Sequence, residues 1–158
     1  MNKAEALRRA FAQTWLLCGS LDIAYAAATA LWLGRSPMAM LRAVATGPFG
    51  DAARDWGLIG SALGLVTHFA IMAAMVAAGF WLASKTLLGE IAAWKAGTCY
   101  GLALYAVMAG IVLQWRFGTP FPEPDRLKLA GELFPHVFLV GIPTFHLARR
   151  AMNTSPAA

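Results

Sequence analysis

Residues 56–84 read WGLIGSALGLVTHFAIMAAMVAAGFWLAS, without one Asp, Glu, Lys or Arg. A helix needs about 20 mostly apolar residues to cross a bilayer, and this run exceeds that length. Its apolar residues are not confined to one stripe, as they would be on a surface helix of a soluble domain. The run therefore predicts a transmembrane helix, and the rest of the chain repeats the signal. Ala10 to Gly34 contains one charge, Asp22; Ala96 to Trp115 contains none; Leu129 to Ala148 is less apolar, with Glu132, His136 and His146.

The expected fold is an all-α membrane protein. Four spans are predicted at about 12–34, 57–83, 97–116 and 127–148 in one domain over 1–150, followed by a disordered polar tail at 151–158. Between the first two spans, Ser36-Pro37 forms a helix start, Ser as N-cap and Pro at the first helical position. Met38, Leu41 and Val44 then recur at helical spacing until Gly47-Pro48 stops the pattern. This is read as a short interfacial helix, on the membrane surface or dipping into the bundle mouth, with Asp51 available to cap the next helix. The second loop runs from Lys85 to Lys95. The third, Phe117 to Asp125, is rich in proline and stiff.

Composition agrees. Of 158 residues, 59% are hydrophobic and 13% charged, with mean hydropathy +0.58; soluble domains carry about 25% charged residues. The charge is +5 and the pI about 9.7. The Lys and Arg residues flank the apolar runs and form no stripe with interleaved aromatics, so nucleic acid is not an expected partner; the lipid bilayer is. Lys3, Arg8 and Arg9 followed by Ala24-Tyr25-Ala26 imitate a signal peptide. The apolar run continues past that point to Leu33 and Asp22 interrupts it, so an uncleaved first helix is expected. With both termini cytoplasmic, seven basic residues (Lys3, Arg8, Arg9, Lys85, Lys95, Arg149, Arg150) face inward and six (Arg35, Arg42, Arg54, Arg116, Arg126, Lys128) outward. Trp32, Trp56, Trp81, Trp94 and Trp115 stand at span ends, as interfacial belts require. Cys18 and Cys99 are expected as free, buried small hydrophobes.

Four ionisable residues inside the apolar runs are the candidate site: Asp22, His68, Glu132 and His136. Such groups are costly in hydrocarbon and usually face a bundle interior or cavity. Gly60, Gly64 and His68 fall one turn apart, so His68 continues a small-residue packing face. Gly19, Asp22, Ala26 and Ala30 share a similar face. Gly97 and Gly101 repeat the device and continue to Tyr105 and Met108, supporting residues of the site. Glu132 and His136 are stacked four residues apart. Asp22, His68 and His136 are expected near mid-membrane, with Glu132 one turn further out. Pro135 and Pro143 should kink the last span and free backbone carbonyls.

Several readings fit this set. Asp and His can share a proton, and carboxylate–imidazole chains suit proton relays in small transporters or channels. The same groups can serve only as a hydrogen-bonded lock of helix register in a structural or assembly partner of a membrane complex. His68, His136 and Glu132 could hold a divalent metal, although Glu132-x-x-x-His136 is not the Glu-x-x-His of di-iron bundles. His68 and His136 could also be axial ligands of haem b. No nucleophile elbow or base partner surrounds Ser20, Ser61 or Thr67, so no enzyme is expected and no cofactor is required. The Gly-x-x-x-Gly faces leave a homo-oligomer open.

Gly64-Leu-Val-Thr67-His68, Trp94-Lys-Ala-Gly97 and Glu132-x-Phe134-x-His136, with the closing Arg149-Arg150, resemble motifs of the YagU-like family of small bacterial inner-membrane proteins. The resemblance covers the later two-thirds of the chain and not Asp22. It implies a bacterial inner-membrane location, groups His68 with Glu132 and His136, and carries no defined reaction.

Overall fold

Helix α1 (Lys3–Trp32) begins in the first residues of a computed structural model that describes residues 2–85 and 90–153. It starts nine residues before the predicted span because Asn2 caps it: the Glu5 amide donates to Asn2 Oδ1 at 2.8 Å. Asn followed three residues later by Glu is a capping signature, and the Ala, Leu, Arg and Lys residues between it and the apolar run favour helix.

Helix α2 (Pro37–Phe49) opens as expected with Ser36 extended and Pro37 at the first position, though the Ser36 side chain makes no capping bond. It does not stop at Gly47-Pro48. Proline lacks one donor and clashes one turn back, a cost that a last turn can absorb. The true stop is Gly50, whose positive φ of 80° suits glycine and whose amide donates to the Thr46 carbonyl. Asp51 then opens a short 3-10 turn, Asp51–Asp55, instead of capping the next helix directly.

Helices α3 (Gly57–Lys85) and α4 (Ala93–Phe117) follow. Within α4, Met108–Leu113 is π-helical, and the helix ends at Gly118 in the left-handed conformation. Asp125 caps α5 (Arg126–Phe134), its carboxylate accepting from the Leu127 and Lys128 amides at 2.8 and 3.1 Å. A π-helical segment, Pro135–Gly141, leads into α6 (Ile142–Asn153). Ala151–Asn153 thus belong to α6; the rest of the expected tail, 154–158, lies outside the described residues, as do 86–89 of the second loop.

The described residues are mostly helical and contain no strand. Three helices are long and apolar enough to cross a membrane: Ala4–Trp32, Gly57–Lys85 and Ala93–Phe117. The stretch 126–153 is not among them; it carries Arg126, Lys128, Glu132, Arg149 and Arg150. Large apolar side chains face outward to an extent that water would penalise: Trp115 is 90% exposed and Leu58 72%. All five span-end tryptophans are exposed.

The chain forms two compact units, residues 1–18 with 75–158, and Gly19–Ala74. In the first, a core of Ala83, Ala96, Tyr100, Phe145 and Ala148 is surrounded by Phe80, Leu82, Leu104 and Met152. A Cβ on Gly97 would stand 2.5 Å from Ile142 Cα, and one on Gly101 2.5 Å from the His136 carbonyl, so α4 meets the last helical segments backbone to backbone. In the second unit, α2 lies directly on α3. A Cβ on Gly60 would stand 2.6 Å from the Ala53 carbonyl, and one on Gly64 would overlap the Leu41 carbonyl oxygen. Ser61 Oγ donates to the Met38 carbonyl at 3.0 Å across the same contact.

Candidate functional site

The sequence-derived site residues fall two to a unit: Asp22 and His68 in Gly19–Ala74, Glu132 and His136 in the other. Each pair has its own geometry.

His68 is buried, with Gly60, Gly64 and Gly19 also buried around its face. Its Nε2 lies 2.9 Å from the Gly19 carbonyl, and its Nδ1 3.8 Å from Asp22 Oδ2. The neighbouring Phe69 ring stands edge-on at 5.3 Å, and the same ring closes the space beside Gly19. A carbonyl only accepts, so Nε2 carries a proton in every charge state. When the imidazole is neutral, Nδ1 has a lone pair facing Asp22. The arrangement is favourable only with one proton between them, on Nδ1 as an ion pair or on the carboxyl as a neutral pair. The Asp22 side chain is 24% exposed and that of His68 10%, so the carboxylate is the less buried of the two.

Glu132 and His136 do not meet through their side chains as the four-residue stacking suggests. His136 Nδ1 donates to the Glu132 backbone carbonyl at 2.7 Å, which leaves Nε2 as the accepting nitrogen of the neutral ring. The Glu132 carboxylate instead lies 4.0 Å from Lys128 Nζ. The His136 ring stands edge-on to Tyr105 at 5.9 Å, and Tyr105 also meets Phe121 at 5.8 Å. The Tyr105 hydroxyl is buried and, among the described residues, the group it approaches is the Glu123 backbone. Met108, the other supporting residue, opens the π segment of α4. Such segments recur at functional sites.

Glu123 was not among the sequence candidates. It lies in the proline-rich loop and is 8% exposed, held by two bonds: Lys128 Nζ donates to Oε2, and the Asp125 amide donates to Oε1 at 3.2 Å. The Lys128 contact, then the Asp125 amide, hold its carboxyl below the ordinary value of 4.5. The signal was present as Glu123-x-Asp125-x-x-Lys128, an acid two residues before a helix cap with a base one turn inside. Because the folded value is depressed, the stability that Glu123 contributes is present above about 4.5 and is lost as pH falls through the lower folded value. Thermal midpoints should therefore fall as pH is lowered below about 4.5. Lys128→Met should lower the midpoint at pH 7 and flatten that acid limb. An identical acid limb in the variant removes the pair from the account.

Of the two cysteines, both free, Cys18 is buried, its Sγ 3.8 Å from Thr144 Oγ1. Cys99 is exposed, contrary to expectation, because it projects from the side of α4 opposite Gly97 and Gly101. Among the described residues no three His, Cys, Asp or Glu side chains come together as a metal site. No family model, curated protein or solved structure matches the chain.

Proposed function

We propose that the chain is a four-span inner-membrane protein in which the Asp22–His68 pair holds one mobile proton and passes it in the movement of protons or of a small solute. The observation that supports this most is the placement of the two ring nitrogens, Nε2 on the Gly19 carbonyl and Nδ1 toward Asp22. With Nε2 committed to the Gly19 carbonyl, Nδ1 is the nitrogen that exchanges, and it faces a carboxylate with a partly open edge. In this reading the three long apolar helices are spans and the stretch 126–153 is the fourth, entered from the proline-rich loop. Helix α2 is the short helix at the membrane face, and both termini are cytoplasmic. The bacterial inner membrane enters through the likeness to the YagU-like family.

A second reading has support of its own. The Nε2 bond joins a side chain of α3 to the backbone of α1, which is what a pure register lock in an assembly partner would use. Imidazole nitrogen NMR on protein labelled at histidine, in bilayers, separates the two chemically. The proposal expects His68 Nε2 protonated at every pH and Nδ1 gaining and losing its proton. A neutral form protonated on Nδ1, or an Nδ1 that never exchanges, sinks it.

A further inference from the structure

We infer that the groove between the start of α1 and the end of α6 binds the headgroup of an anionic phospholipid. Arg9 and Gln13, one turn apart on α1, face Arg150 and Leu147 of α6 across a groove of about 500 Å³ floored by Ala6 and Ala10. Arg9, Gln13 and Arg150 are all exposed. The Arg9–Glu5 contact at 3.6 Å is a surface pair with both side chains well exposed, and such pairs give way easily.

The charge around the groove is predominantly positive. Residues 2–18 and 142–153 contain Lys3, Arg8, Arg9, Arg149 and Arg150 against the single acid Glu5. Two guanidinium groups and an amide across a groove match a phosphodiester, which arginine binds in bidentate fashion. A second groove of about 330 Å³, between the start of α1 and the end of α3, is largely apolar, lined by Leu7, Phe11, Phe80 and Trp81 with Arg8 and Ser84. Basic pockets between helices on the cytoplasmic side are places where anionic headgroups settle.

The inference rests on the membrane reading, and its test keeps the two apart. Retention of the chain in membranes through alkaline carbonate washing tests the membrane reading alone. Purified protein in mild detergent is then titrated with short-chain phosphatidylglycerol, short-chain phosphatidylcholine and inorganic phosphate, with the thermal midpoint as readout. Phosphatidylglycerol should bind best. At about fivefold per guanidinium, R9Q/R150Q should weaken it roughly twenty-fivefold. K85Q/K95Q, which removes the same charge outside the groove, should leave it unchanged. Equal affinity for the two lipids, equal loss in the two double variants, or phosphate matching phosphatidylglycerol overturns the inference. If R9Q/R150Q does not fold, the wild-type lipid preference and the K85Q/K95Q result still decide.

Discussion

Replacing Gly64 by alanine is expected to destabilise the Gly19–Ala74 unit by about 3 kcal/mol. The added methyl would overlap the carbonyl oxygen of Leu41. A side chain in its place could rotate away, but a backbone carbonyl cannot move without its helix. Alanine is a better helix former than glycine by about 1 kcal/mol, and this gain is the smaller term. The α2–α3 contact must open, and the Ser61 bond to the Met38 carbonyl is strained with it. Gly47→Ala is the control. It lies in α2 with nothing within 4 Å of the added carbon, so only the propensity gain remains. Thermal unfolding in detergent should show a large loss for Gly64→Ala and none for Gly47→Ala. Equal midpoints would mean that α2 does not sit on α3 in this way.

The second large effect concerns His68. Alanine there removes the bond to the Gly19 carbonyl, the partner of Asp22 and the volume of a buried ring. Interhelical polar contacts in membranes average about 0.6 kcal/mol and reach about 1.7; with the vacated volume, His68→Ala should cost about 2 kcal/mol. His68→Gln is the informative companion. Its amide nitrogen can still donate to the Gly19 carbonyl, so most of the stability should return. It cannot titrate, so the proton does not. A Gln variant as unstable as the Ala variant would show that the Gly19 bond is not what holds the ring.

The apolar runs, the three long helices and the small-residue faces were legible because each rests on a strong local signal. Hydrocarbon length fixes a span, and 3.6-residue spacing put Gly60, Gly64 and His68 on one face. The missed features depend on neighbours distant in sequence or on a single cap. Asn2 moved the start of α1 by nine residues through one hydrogen bond. Pro48 was tolerated because only a final turn was at stake. The π segments of α4 and before α6 have no composition signal that separates them from α-helix. Polarity inside apolar runs singled out Asp22 and His68 as candidates, and spacing put each on a small-residue face. It could not show that His68 would bond Gly19, because no sequence rule links a ring on α3 to a carbonyl on α1. The one-turn spacing of Glu132 and His136 was legible, but the partners of their side chains were not. The ring took the backbone carbonyl and the carboxylate turned toward Lys128, a base on the same helix whose position in the sequence points only to topology. Glu123 was hidden by its place in a loop, where carboxylates are ordinarily solvated.

The proton is the central claim, and flux across a bilayer measures it most directly. Wild-type protein, His68→Gln and Asp22→Asn are reconstituted into vesicles holding a pH-sensitive dye, and an imposed pH gradient is followed as it decays. The account predicts decay well above that of empty vesicles for the wild type and decay at the empty-vesicle rate for both variants, each folded by thermal unfolding. A wild type no faster than empty vesicles, or a His68→Gln variant as fast as the wild type, would contradict it and leave Asp22 and His68 as a lock between helices.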